Sequence, residues 1–230
     1  MSDQLVKPGR PTIELKPGLP DYPTIVHALA YAAESAPDRP AVICENQELS
    51  YLQLSHAVGG LARQLGNMGA AGARIALFMG NGIETSVAGL GGMAARGQIA
   101  PFNPAYTDNE VIPLMRDCDP LVIVCNTQFE ERAQALATKL DIPHVMVLGT
   151  GEQTIEEWSN SPAMTLPETM PQTGDKAAMF FTGGTTGIPK GAEHDHAMMS
   201  AFCRSTESLW SLDFDSERIL SVAPMFHIWG

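Results

Sequence analysis

Residues 180–191 read FFTGGTTGIPKG, an apolar run that meets four glycines, three threonines, a proline and a lysine within a few positions. Glycine lets the backbone approach a guest closely, threonine supplies hydroxyls, and Lys190 supplies a mobile positive charge. Together these groups suit a polyphosphate. A Walker loop needs Gly immediately before its Lys and Ser or Thr immediately after it, whereas Pro189 and Gly191 stand there. No GxGxxG opens a helix, so the dinucleotide fingerprint fails as well. Taken alone, a Gly/Thr loop can also be a plain turn joining two strands.

Other groups invite chemical readings. His194, Asp195 and His196 offer imidazole and carboxylate to a transition metal, but no third ligand is indicated nearby, and exposure or loop bracing is the simpler reading. No metal site is assigned. His227, between Phe226 and Ile228, reads on its own as a core histidine. Cys44, Cys118, Cys125 and Cys203 match neither a zinc spacing nor a dense disulfide framework, which points to free thiols in a reducing, cytoplasmic setting.

Alternating strands and helices must position the loop. Thr24 opens a helix with Ile25, Leu29 and Ala32 or Ala33 at helical intervals, ending at Pro37. AVICE follows as a strand. Ser50 and Gln53 form a capping box for a helix bearing Leu54, Val58, Leu61, Leu65 and Met68 on one face. Then come strand RIALFM, a helix near 83–95, extended IAPF, a helix opened by TDNE, strand LVIVC, a helix opened by TQFE, and strand HVMVL. This order predicts an α/β fold, a parallel sheet with helices on both faces. The expected organisation is an extended arm over 1–23, a first α/β subdomain over 24–148 and a Pro/Thr-rich connection over 149–175. The start of a second, incomplete subdomain would occupy 176–230, with KAAMFF as a strand into the loop and a helix near 196–211.

The net charge of −12 disfavours a nucleic-acid or anionic-membrane surface, and no stretch sustains a membrane-spanning run. With 44% hydrophobic and 17% charged residues, the composition is that of an ordinary globular domain. The expected partners are therefore small molecules. The closing run RILSVAPMFHIWG reads as strand-like and would leave Met225, Phe226, Ile228 and Trp229 without neighbours. A truncated chain is the expectation, and its apolar end could pair two copies as a homodimer.

TGGTTGIPKG resembles the phosphate-binding signature of the adenylate-forming enzymes, the superfamily of acyl-CoA synthetases, aryl-CoA ligases, luciferases and peptide-synthetase adenylation domains. LSYLQL, GQIAPFNPAYTDNEV and APMFHIWG resemble further motifs of that family in the same order, so the resemblance runs from about Tyr22 to Gly230. It implies an ATP-dependent acid-thiol ligase that activates a carboxylic acid as its acyl-adenylate and transfers it to coenzyme A, with Mg2+ bound alongside ATP. The loop would hold the departing pyrophosphate. Thr182, Thr185 and Thr186 would give hydroxyls, Gly183, Gly184 and Gly187 backbone N–H groups, and Lys190 a charge on the β and γ phosphates. His227 would face the acyl pocket.

The departures are informative. Many members carry Ser where Gly183 stands, and the Gly form resembles bacterial fatty acyl-CoA ligases, which leans towards an aliphatic acid. The usual LTH is replaced by HDH, so that His196 alone carries over. The family's magnesium glutamate, ribose aspartate and catalytic lysine have no counterpart before Gly230, so the catalytic residues are expected beyond it and this chain alone is expected to be inactive. The rival readings are a ligase for an aryl acid or a carrier-protein thiol, and a noncatalytic nucleotide-binding or interaction module.

Overall fold

A computed structural model describes residues 22–149, 154–182, 190–210 and 217–227 of the chain. Helix α1 (Ile25–Ser35) begins where Thr24 accepts the His27 amide, and it buries Val26 and Leu29. The expected inward residue Ile25 is one position off that face and borders a cavity instead. Strand β1 (Pro40–Cys44) pairs antiparallel with β2 (Gln47–Ser50), a hairpin outside the main sheet, where the sequence suggested only one strand. Helix α2 (Tyr51–Asn67) starts at the expected box. The Gln53 amide donates to Ser50 Oγ at 3.2 Å, and the Ser50 amide donates to Gln53 Oε1 at 3.0 Å.

The main sheet begins with β3 (Arg74–Phe78), followed by α3 (Ile83–Ala94) and β4 (Gln98–Pro101). Helix α4 (Asp108–Cys118) opens at its own box, with the Thr107 amide donating to Glu110 Oε2 at 2.8 Å. Strand β5 (Val122–Asn126) leads through a 3-10 turn over Thr127–Phe129 into α5 (Glu130–Leu140), then β6 (His144–Leu148). TQFE is therefore not a capping box: its first three residues are spent in the turn, and the helix starts at Glu130 without a side-chain cap. A short α6 (Ile155–Ser159), with a box of Thr154 and Glu157, lies in the stretch read as an irregular connection. Strands β7 (Lys176–Thr182) and β8 (Lys190–Asp195) precede α7 (His196–Trp210).

The six strands lie in the order β6-β5-β3-β4-β7-β8, all parallel except β8, which runs antiparallel to β7. Alternate residues of β3 serve opposite layers. Ile75 and Leu77 pack with α1, α2 and α3, while Ala76 and Phe78 pack with α4 and α5. This covered, mostly parallel sheet is the α/β fold the sequence predicted. Strand β7 is hydrogen-bonded beside β4, so the sheet runs on past the connecting segment. The 217–227 stretch forms no strand among the described residues and ends in a turn in which the His227 amide donates to Pro224 O at 2.9 Å. Ile219, Leu220 and Val222 are exposed there.

The connection itself is packed. Trp158 is buried over Gly60 of α2, where an added Cβ would stand 2.4 Å from the indole Cγ. Arg63 donates to Ala163 O at 2.8 Å from the next turn of the same helix. Gly66 has open space at the same test position. Gly60→Ala should therefore lower stability by about 1–3 kcal/mol through overpacking, while Gly66→Ala should be neutral or stabilising by about 0.5–1 kcal/mol through helix propensity. Urea unfolding midpoints of the two variants provide the check.

Candidate nucleotide and acid site

Because β7 is parallel to β3 and β4, its end emerges at the carboxyl edge of the sheet, the edge at which open α/β sheets bind ligands. The β7–β8 register pairs Thr182 with Lys190, and Thr182 Oγ1 donates to Lys190 O at 3.3 Å. The two ends of the glycine loop are thus pinned together with Lys190 exposed at the rim. Gly183, Gly184, Thr185, Thr186 and Gly187 lie outside the described residues. The Thr182 hydroxyl hydrogen is committed within the hairpin, which leaves the oxygen lone pairs rather than the donor for other partners.

Gly191 has a packing role. A Cβ there would fall 2.0 Å from Met179 Cε, the flexible end of that side chain, which would have to move aside. At the opposite edge of the sheet, Glu193 of β8 accepts from Lys176 Nζ at 2.8 Å and lies 3.5 Å from both Arg74 Nη2 and Gln98 Nε2. The Lys176 hydrogen bond, with lesser help from Gln98 and Arg74, holds the Glu193 carboxyl below its usual range. One carboxylate thereby ties the starts of β3, β4 and β7 to the end of β8.

The HDH triplet divides three ways. His194 borders an apolar cavity and meets the Phe180 ring edge-on, with centroids 5.6 Å apart. Asp195 Oδ1 accepts the Met198 amide at 2.7 Å and braces the start of α7. His196 is fully buried, and neither ring nitrogen has a hydrogen-bond partner among the described residues. Burial pushes its pKa below the ordinary value, against the opposing pull of Asp175 and Asp195, while His27 adds to the lowering. Among the described residues no three His, Cys, Asp or Glu side chains could hold a metal ion. Burial pushes the Cys118 and Cys125 thiols up to about 12, and none of the four cysteines is in a disulfide among the described residues.

His227, Met225, His194 and Phe180 share that cavity, of about 650 Å³, with residues of α1, α3 and α7. Among the described residues no Asp, Glu, Lys or Arg lines it, and the lining is mostly apolar. The site also contains a residue that sequence reasoning passed over. Asn81, just beyond β3, donates through Nδ2 to Ala223 O at 2.9 Å, and its Oδ1 accepts the Met225 amide at 2.8 Å. In the sequence Asn81-Gly82 signals only a turn.

The ends of β7 and β8 at the carboxyl edge and an apolar cavity belong to an α/β protein of the mostly parallel, helix-covered kind. The family model for AMP-binding enzyme matches residues 29–230, and the chain belongs to that family. The peroxisomal OPC-8:0-CoA ligase 1 of Arabidopsis thaliana is 26% identical over 190 residues, covering 80% of this chain and 35% of that protein. A fatty acid–acyl-carrier-protein ligase of Streptomyces coeruleorubidus is 29% identical over 218 residues, or 92% of this chain and 41% of its own. The crystal structure of a long-chain-fatty-acid-CoA ligase from Archaeoglobus fulgidus superposes with a TM-score of 0.80 at 22% identity, over 93% of this chain and 46% of that one. The chain therefore spans less than half the length of each. Among the described residues no helix is long and apolar enough to cross a membrane.

The buried His196 yields a prediction with a definite sign. Its folded pKa is depressed, so below about pH 6.5 the unfolded chain binds the proton that the folded chain refuses. That contribution is intact above pH 6.5 and is lost as pH falls towards the folded value. Thermal midpoints of the wild type should drop more steeply between pH 7.5 and 5.5 than those of His196→Met, and parallel slopes would contradict this account.

Proposed function

We propose that this chain forms the phosphate-binding and acyl-pocket portion of an ATP-dependent acid-thiol ligase. Such an enzyme activates a carboxylic acid, of the fatty class, as its acyl-adenylate and passes it to coenzyme A. The observation that carries the reading is the β7–β8 pairing of Thr182 with Lys190, the two ends of the Gly/Thr sequence, together with an apolar cavity whose described lining includes no Asp, Glu, Lys or Arg. An amino group on the substrate would find no carboxylate among the described residues lining that cavity, and the mostly apolar lining favours an aliphatic acid.

In this reading backbone N–H groups of Gly183, Gly184 and Gly187 and hydroxyls of Thr185 and Thr186 receive the phosphate oxygens. Lys190 opposes the charge that grows on the leaving pyrophosphate. Thr182 closes the base of the loop, and His227 stands in the wall of the acyl pocket. Magnesium would be bound with ATP. A carrier-protein thiol as acceptor is the second reading, favoured by the Streptomyces relative. Adenylation needs groups on every side of the reacting phosphate, and the hairpin supplies one of them. The 230-residue chain alone is therefore proposed to bind polyphosphate without turning over, with the remaining units of the ligase completing the site.

Lys190→Ala in the intact ligase should weaken ATP use by about 10-fold to 100-fold, the loss of a charge-assisted hydrogen bond of roughly 1.5–3 kcal/mol. The KM for the acid should stay near the wild-type value. Separate titrations of ATP and dodecanoate in a pyrophosphate-exchange assay distinguish the two, and a defect confined to the acid would contradict the assignment.

A further inference from the structure

We propose that Asn81 is a positioning residue that holds the Ala223–His227 turn in place as a wall of the apolar cavity, and thereby sets how tightly the hydrocarbon part of the acid is gripped. The inference rests on the reading of that cavity as the acid's site.

The geometry is specific. A single side-chain amide both donates to Ala223 O and accepts from the Met225 amide, so it grips the backbone on either side of Pro224 in the way a neighbouring strand would. Residues 217–222, just upstream, are exposed and join no strand. Met225 and His227 reach the cavity from this turn, and the His227 amide closes the turn on Pro224 O. Asn81 has a fixed base from which to act. It follows the buried end of β3, and the Thr85 hydroxyl, buried at the start of α3, donates to Gly80 O across the same loop. Thr85 itself lines the cavity, as do Leu90 and Met93 of α3. The floor provided by α3 and the wall provided by the turn are thus joined through residues 80–85.

A purely structural role would be felt mainly in stability, yet Asn81 is exposed and buries no apolar surface worth the name. Its loss should instead loosen the turn and enlarge the distribution of cavity shapes, lowering affinity for an alkyl chain and leaving the phosphate loop alone.

The test uses the 230-residue chain with dodecanoate and ATP as separate probes, read by calorimetry, and amide hydrogen exchange at Met225. Asn81→Ala should bind dodecanoate about tenfold more weakly, the equivalent of one or two ordinary hydrogen bonds. Its ATP affinity and thermal midpoint should hold, and the Met225 amide should exchange faster. Asn81→Gln, which restores the amide on a longer stem, should recover part of the loss and serves if the alanine variant fails to fold. Faster exchange at Met225 with unchanged dodecanoate affinity would overturn the proposal while leaving the acid site standing. A wild-type chain that binds ATP but no alkyl acid would remove the cavity reading and this inference with it.

Discussion

The carboxyl-edge site depends on the seating of β7 beside β4. The two strands are separated by some of the least regular sequence in the chain, and they meet in register at Ile99 and Ala178. Gln98 supports the junction from within the sheet, its buried amide lying 3.3 Å from Ala178 O. A backbone carbonyl in that position left without a donor would be costly, because no water competes for it. Once β7 is seated, the direction of the sheet decides everything downstream. The strand must end at the edge where β3 and β4 end, and the next residues must turn back there.

The return strand makes different contacts at its two ends. At the loop end Gly191 lies against the flexible tip of Met179, which would have to shift for a side chain there. At the far end Glu193 must be long and charged to reach Lys176, Arg74 and Gln98. The charge contacts favour this register, since a slip of one residue would pull the carboxylate from its partners. Exposed ion pairs add little stability by themselves, so the value of Glu193 lies in selecting the register. The glycine after the lysine thus packs against Met179 in the same hairpin whose tip is proposed to take phosphate.

Much of this was legible in the sequence, for identifiable reasons. The boxes at Ser50 and Thr107 are local, made by residues three apart, and they start helices as expected. TQFE carries the same letters, but it follows β5 directly, and the chain uses them to turn a corner in 3-10 geometry. The adjacency of β7 to β4, the antiparallel β8 and the packing of Trp158 onto Gly60 are long-range facts with no periodic trace. Asn81 was invisible because an exposed Asn before Gly has a sufficient local explanation as a turn. The HDH triplet was read mainly as exposed or bracing residues, and its three residues instead take a cavity edge, a helix brace and a buried imidazole.

The central claim is that the hairpin tip is where this chain receives the phosphates of a nucleotide. Amide chemical-shift mapping of the 230-residue chain titrated with ATP tests it most directly. The account predicts shifts concentrated over residues 182–190, extending to Gly191 and Ala192 in β8, and sparing the second groove of the molecule, where Arg63 and Arg96 stand beside Thr165 and Glu168. Shifts concentrated in that groove, with the hairpin unperturbed at saturating ATP, would contradict it.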